Sequence, residues 1–210
     1  MGARIYVGHR AENIADAEVV VLSSAIPNEN PEVQEALRKN LKIVQRCEML
    51  AFLMRQKFGI AVAGTHGKTT TTSMVAKVLE TAKFRPTVII GGEVNDMGSN
   101  AKLGGGYHLV AEADESDASF VHLEPQIAIV TNMDSDVNLS AEPFKDLDYD
   151  AEETMIRVKS MFETFSNKLP ENGRLILCWD HERVRELAGK VDRPTTTYGF
   201  HPDAELTVKA

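Results

Sequence analysis

The stretch "GIAVAGTHGKTTTTSMVAKVLE", residues 59–80, decides the fold of this chain. An apolar run ends in a glycine-flanked turn that carries Lys68, and a helical pattern follows directly. This order of strand, turn and helix is typical of phosphate-binding loops, because a helix N-terminus leaves backbone N–H groups unpaired and its dipole favours an anion. We therefore interpret residues 64–70 as a phosphate loop.

The residue types in the phosphate loop fit this role. Gly64 and Gly67 allow the backbone to curl around a phosphate, Lys68 supplies a charge for the outer phosphates, and the Thr69 hydroxyl can ligate Mg²⁺. Only two residues separate the glycines, where the usual nucleotide loop has four, so a glycine-capped joint with a solvated lysine is the alternative. The threonine run 69–72 disfavours that alternative, because β-branched residues are poor helix formers.

The composition limits the classes of function. A net charge of −8 over 210 residues argues against nucleic-acid binding, which needs a basic surface. No run approaches the roughly 18 apolar residues of a membrane span, and the first residues do not resemble a signal peptide. Cys47 and Cys178 are far apart, and we expect both to be reduced core thiols. We therefore expect a cytoplasmic protein without a membrane or nucleic-acid partner.

Short β-branched runs alternate with helical patterns along the chain, which predicts an α/β fold with a mainly parallel sheet covered on both faces. A helix that ends near residue 56, followed by a new strand, places a domain boundary at residues 56–59. We interpret the part of the chain before this boundary as a partial Rossmann-like unit. Predicted strands cover residues 4–8, 18–26, 42–45, 59–64, 87–92, 107–114, 126–132, 174–179 and 195–200. Predicted helices start after the N-cap Asn30, near residues 47, 67 and 151, and after the N-cap Asp180.

Acidic residues cluster where the strand "LVAEAD" ends. Ligands of open α/β sheets lie beyond the carboxyl ends of strands, so a carboxylate here could hold Mg²⁺ beside nucleotide phosphates. Glu112 differs from the others because apolar residues flank it, and burying its carboxylate requires a partner. A solvated acidic turn is the alternative. The cluster contains Glu112, Asp114, Glu115 and Asp117, and a later strand ends at Asn132, Asp134 and Asp136.

Together these segments resemble the Mur ligase family. The resemblance is carried, in family order, by "GARIYVGHRAENI", "VVVLSSAIPNENPEV", "RCEMLAFLMR", "GIAVAGTHGKTTTTSMVA", "GGEVNDMGSNAKLG", "EADESDASFVHLEPQIAIVTN" and "RPTTTYGF". The pair "AGTHGKTTTT" and "EADESDASF" is similar to the branch that adds L-alanine and to its tripeptide-adding relative.

The resemblance implies a reaction in which ATP phosphorylates the carboxylate of UDP-N-acetylmuramic acid and the amine of L-alanine attacks the acyl phosphate. It implies catalytic roles for Lys68, His66 and Glu112, and Mg²⁺ binding by Thr69 and Glu112. ATP phosphates would be held by Gly64, Thr65, His66, Gly67, Lys68, Thr69 and Thr70. The UDP-sugar substrate would be contacted by Ser23, Ser24, Asp114, Glu115, Ser116 and Asp117.

The resemblance also divides the chain. Residues 1–57 correspond to the C-terminal part of the family's UDP-sugar-binding domain, and residues 58–210 to its P-loop-type central ATPase domain, which we expect to be truncated in an incomplete chain. Val137 stands where the family has a metal-binding histidine, so a second metal site would need Asp134 or Asp136 instead. Two alternatives stay open: a non-catalytic ATP-binding remnant and the tripeptide-adding murein-recycling ligase.

Overall fold

The computed structural model describes residues 3–23, 25–91, 100–114, 118–134 and 150–207. The chain divides into two compact units, Met1–Met49 and Leu50–Ala210. Within the described ranges, no helix combines the length and the apolar character that crossing a membrane requires.

The first unit contains a parallel βαβ motif, in which a helix joins two paired strands. This motif is the one that Rossmann-like folds repeat. Its elements are, in chain order, a 3₁₀ helix (Ala11–Ile14), β1 (Val19–Leu22), α1 (Pro31–Arg38), β2 (Lys42–Gln45) and the start of α2 (Arg46–Arg55).

Two local predictions for the first unit have opposite outcomes. The start of α1 is confirmed, because the Asn30 side chain accepts a hydrogen bond from the Glu32 N–H at 2.9 Å and Pro31 is the first helical residue. The strand predicted at residues 4–8 is wrong, since this segment forms no strand and Val7 is 96% exposed. A β-branched run becomes a strand only where a neighbouring strand takes up its backbone hydrogen bonds.

The second unit is built on a sheet of eight of the described strands. Its elements are, in chain order, β3 (Phe58–Ala63), α3 (Lys68–Thr81), β4 (Thr87–Ile89), β5 (Ala101–Lys102), β6 (His108–Ala113), a 3₁₀ helix (Ser119–His122), β7 (Ile127–Val130), α4 (Ala151–Asn167), β8 (Arg174–Cys178), α5 (Glu182–Ala188), β9 (Thr195–Gly199) and β10 (Leu206–Thr207). The order of the strands in the sheet is β10-β9-β8-β7-β3-β6-β4-β5. All neighbours are parallel except β4 and β5, which confirms the predicted α/β fold with a mainly parallel sheet.

The central strand β3 lies between β6 and β7 and is buried on both faces. Its neighbours read as continuous apolar runs for the same reason. On one face, Phe120 packs against Phe162 and Phe165 of α4, with ring centroids 5.2 and 5.1 Å away. Because β3 pairs in parallel with both β6 and β7, the carboxyl ends of these three strands lie side by side.

Asp180 does not cap α5 as the sequence predicts. Its carboxylate accepts hydrogen bonds from the N–H groups of Phe200 and His201, at 2.8 and 2.7 Å, and these bonds lower its pKa. His181 precedes α5 instead, without a side-chain cap. The Asp180 carboxylate therefore fixes the turn after β9.

Candidate functional site

The phosphate loop connects β3 to α3 at the carboxyl edge of the sheet. Gly64 and Gly67 have φ angles of +143° and +80°, which residues with a Cβ atom rarely adopt. A Cβ atom on Gly64 would collide with the Thr131 hydroxyl. Because α3 begins at Lys68, the N–H groups of its first turn have no partner inside the helix and are placed to face an anion.

The Lys68 ammonium lies over the phosphate loop. Its Nζ donates hydrogen bonds to the carbonyl oxygens of Gly64 at 2.8 Å and Thr65 at 3.3 Å. Charged phosphate oxygens are stronger acceptors than neutral carbonyls, so a bound phosphate could compete for this ammonium.

Thr69 and Glu112 bring together oxygen atoms from α3 and β6. The Thr69 hydroxyl donates to the Glu112 carboxylate, with Oγ1 3.0 Å from Oε2, and the Gly91 N–H donates to the same Oε2 at 2.9 Å. These neutral donors provide the partners that the half-buried Glu112 carboxylate requires.

The Thr69–Glu112 pair fits Mg²⁺. Two neighbouring ligands of an octahedral Mg²⁺ lie about 3 Å apart, because each bond is about 2.1 Å long. The 3.0 Å separation of Thr69 Oγ1 and Glu112 Oε2 matches this geometry, and both atoms are hard oxygen donors. In the described part of the chain, no three His, Cys, Asp or Glu side chains cluster as a metal site. A pair of protein ligands suits Mg²⁺ in a phosphate site, where the remaining positions go to phosphates and water.

The end of β7 holds the phosphate loop in place. The Asn132 side chain accepts a hydrogen bond from the His66 N–H at 2.7 Å and donates to the His66 carbonyl at 2.9 Å. The Thr131 hydroxyl donates to the same carbonyl at 2.7 Å, and the Thr65 N–H donates to the Asn132 carbonyl at 3.4 Å. Since Asn132 engages the N–H groups of Thr65 and His66, the amides placed to face a phosphate are those that follow Gly67.

The other predicted site residues lie in different places. The side chains of His66, Thr70 and Asp114 are exposed, Asp114 immediately after β6. Ser23 is exposed after β1 in the first unit, and its Oγ accepts a hydrogen bond from the Ala25 N–H at 3.4 Å. The predicted positions Ser24, Glu115, Ser116, Asp117, Asp136 and Val137 lie outside the described residues.

Asp134 has partners that the sequence did not indicate. Its Oδ1 accepts a hydrogen bond from Arg183 Nη1 at 2.9 Å, and His181 Nε2 lies 3.2 Å from the same oxygen. Because these two side chains already hold the Asp134 carboxylate, Asp134 is a poor candidate to replace, as a metal ligand, the histidine that the family has at position 137. Neither partner could be found from local pattern, because nearly 50 residues of chain separate them from Asp134.

Comparisons with known proteins agree with this architecture. The model of the Mur ligase family catalytic domain matches residues 1–58, and that of the Mur ligase middle domain matches residues 62–210. The UDP-N-acetylmuramate–L-alanine ligase of Geotalea uraniireducens (strain Rf4) is 47% identical over 206 residues, which are 98% of this chain and 43% of that protein. The chain therefore spans less than half the length of this curated relative.

Solved structures are similar as well. The crystal structure of UDP-N-acetylmuramate–alanine ligase from Thermotoga maritima has a TM-score of 0.75 and 30% identity, over 94% of this chain and 42% of that one. The UDP-N-acetylmuramate:L-alanyl-gamma-D-glutamyl-meso-diaminopimelate ligase from Neisseria meningitides has a TM-score of 0.74 and 25% identity, over 92% of this chain and 62% of that one.

Proposed function

The chain belongs to the Mur ligase family, and from this premise we propose that it forms the nucleotide-binding part of an ATP-dependent ligase of peptidoglycan synthesis. The ligase joins L-alanine to the carboxylate of UDP-N-acetylmuramic acid. Residues 1–57 belong to the UDP-sugar-binding domain in this proposal, and residues 58–210 to the central ATP-binding domain. A cytoplasmic location fits its substrates, ATP and a nucleotide-linked sugar.

The observation that carries the proposal is the oxygen pair of Thr69 and Glu112 beside the phosphate loop. Thr69 is in the first turn of α3, and its hydroxyl is 3.0 Å from a Glu112 carboxylate oxygen. A solvated glycine joint would not need a carboxylate from a neighbouring strand at this position. A Mg-nucleotide site needs one.

The proposed reaction has two steps. A carboxylate oxygen of UDP-N-acetylmuramic acid attacks the γ-phosphorus of ATP, and ADP leaves with the electrons of the broken P–O bond. The amine nitrogen of L-alanine then attacks the acyl-phosphate carbon and loses a proton, and inorganic phosphate leaves. Mg²⁺, when bound, offsets negative charge on the phosphates.

The residues of the site have defined tasks in this reaction. Lys68 leaves the carbonyls of the loop and neutralises charge on the transferred phosphoryl group. The first N–H groups of α3 hold the phosphates, and Thr69 and Glu112 hold the metal. The exposed side chains of His66 and Asp114 border the site and are our candidates for contacts with the muramic carboxylate.

Nucleotide titration tests this proposal. We expect the chain to bind Mg-ATP, and Lys68→Ala to weaken binding by about 10- to 100-fold, because the variant loses a charge-assisted contact with the phosphates. Isothermal titration calorimetry measures the affinities. Lys77→Ala is the matched control, because Lys77 is an exposed lysine farther along α3. Equal binding by both variants would contradict the phosphate-loop assignment.

Activity assays distinguish the alternatives. Turnover of ATP that depends on UDP-N-acetylmuramic acid and an amine acceptor indicates a ligase, whereas binding without turnover indicates a non-catalytic remnant. Free L-alanine and the tripeptide L-alanyl-γ-D-glutamyl-meso-diaminopimelate are then compared as acceptors. The 47% identity to an alanine-adding ligase favours L-alanine.

A further inference from the structure

We propose that Arg183, on the first turn of α5, is a positioning residue for the phosphate loop and acts through Asp134. The inference rests on the proposed function, because it concerns how the loop is held ready for a nucleotide. It assigns a role to an element, α5, that contributes no residue to the site described above.

The first link joins Asp134 to the loop. The Asp134 N–H donates a hydrogen bond to the Thr65 hydroxyl, with a distance of 2.9 Å between N and Oγ1. Two residues earlier, the Asn132 side chain binds both backbone groups of His66. The loop is therefore attached through Thr65 and His66 to one short segment after β7, so the position of that segment sets the position of the loop.

The second link joins this segment to α5. Arg183 Nη1 donates to Asp134 Oδ1 at 2.9 Å and to the Met133 carbonyl at 3.1 Å. The side chains of Asp134 and Arg183 are 34% and 37% exposed, so their ion pair alone would contribute little. The additional bond to a backbone carbonyl lets one guanidinium fix both the main chain and the side chain of the segment. His181 Nε2, 3.2 Å from Asp134 Oδ1, supports the same carboxylate.

Loss of this anchor would reduce affinity without removing a nucleotide contact. The phosphate loop contains two glycines with positive φ, and glycine has more conformational freedom than other residues. When the binding-competent conformation is only fractionally populated, the apparent affinity falls by that fraction. Arg183 therefore raises nucleotide affinity by keeping the loop in one conformation.

Variants at Arg183 test the inference in the full 210-residue chain, with Mg-ADP as the probe. We expect Arg183→Met to weaken Mg-ADP binding about tenfold, and Arg183→Lys, which keeps a donor and the charge, to weaken it no more than about threefold. Glu186→Gln, on the same helix, is the control, because it weakens the ion pair of Glu186 with Lys159 Nζ of α4, 2.6 Å away, and leaves the hydrogen bonds of Arg183 to Asp134 and Met133 in place. This control should bind as the wild type does.

A double-mutant cycle tests whether Arg183 acts through Asp134. If it does, Arg183→Met should have a smaller effect on affinity in an Asp134→Ala background than in the wild type, because only its bond to the Met133 carbonyl is then left to lose. Backbone amide NMR signals of Thr65 and His66 give a readout that is independent of the nucleotide, and they should shift in Arg183→Met and stay in place in Glu186→Gln. A general loss of stability would instead lower the melting temperature without moving these signals selectively.

The outcomes separate this inference from the proposed function. If the wild-type chain does not bind Mg-ADP, the proposed function fails, and the amide signals alone decide whether Arg183 positions the loop. If the wild type binds but Arg183→Met binds equally well, or the cycle is additive, the inference is overturned and the nucleotide site stands. Unshifted amide signals of Thr65 and His66 in Arg183→Met overturn it as well.

Discussion

Gly64 and Gly67 flank the phosphate loop in different environments, which predicts different responses to substitution. Gly64→Ala should destabilise the chain by about 3 kcal/mol or more, because its φ of +143° is strained for alanine and the new Cβ atom would collide with the Thr131 hydroxyl. Gly67→Ala is the control and should lose only about 1 kcal/mol, since among the described residues none apart from its own chain neighbours lies within 4 Å of the new Cβ atom. Urea unfolding measures both, and equal losses would argue against the contact with Thr131.

Glu32 predicts a pH dependence of stability. Its carboxylate accepts a hydrogen bond from Asn13 Nδ2 at 2.6 Å and lies 3.3 Å from His9 Nδ1, and the bond from Asn13 is the main cause that lowers its pKa below the ordinary value of 4.5. A lowered carboxyl pKa stabilises the fold above pH 4.5, and the stabilisation disappears as the pH falls through the lowered pKa.

The measurement is the unfolding free energy of the wild type and of Glu32→Gln in urea, from neutral pH down to about pH 3.5. The wild type should be the more stable above pH 4.5, and the difference should shrink below it. Glu12→Gln, at an exposed carboxylate in the same unit, is the control. A difference that is constant with pH would mean that Glu32 acts by packing and not by charge.

At the scale of single elements, α4 supports the 3₁₀ helix after β6 through its aromatic side chains. Phe162 is fully buried and packs against Phe120, with ring centroids 5.2 Å apart. Phe162→Ala should lower the free energy of unfolding by about 3–5 kcal/mol, because it leaves a cavity in the core. Ile156→Ala, at a position that is 61% exposed on the same helix, should change it by less than about 0.5 kcal/mol. Comparable effects at both positions would exclude this packing as the main contribution of α4.

The sequence predicts elements well where their pattern is local. The apolar run of β3, the glycine turn and the start of α3 were all predicted within a residue or two. The strand at residues 4–8 was predicted wrongly, because only a neighbouring strand can decide whether such a run pairs. The antiparallel strand β5 was missed, since two residues are too few for a detectable alternation.

The same distinction applies to the candidate site, where local patterns predict some residues and contacts between distant parts of the chain determine the others. Lys68, Thr69 and Glu112 were selected from motif and from strand ends, and the structure brings Thr69 and Glu112 into contact. The bonds between Asn132 and His66 join residues 66 positions apart, so no local pattern contains them. The role of Arg183 is even harder to predict from the sequence, because it depends on how α5 packs beside the end of β7.

At the scale of the whole molecule, the domain boundary predicted near residue 57 can be tested with two fragments. The second half of α2 contributes Ala51 and Met54, which are 2% and 0% exposed, to the core of the second unit. We expect fragment 46–210, which keeps α2 intact, to unfold cooperatively and to bind Mg-ADP as the whole chain does. Fragment 58–210 should be less stable by about 2–5 kcal/mol, the range for losing a buried side chain such as Met54.

Urea unfolding of both fragments, followed by fluorescence of Trp179, measures this difference, because Trp179 lies directly after β8 in the second unit. Met54→Ala in fragment 46–210 is the matched control and should account for much of the loss, since it leaves the backbone of α2 in place. If fragment 58–210 is as stable as fragment 46–210, α2 does not support the second unit, and the boundary lies where the sequence predicts it. If fragment 58–210 is less stable than fragment 46–210 but Met54→Ala does not lower the stability of 46–210, the stabilisation comes from the backbone of α2 and not from the Met54 side chain.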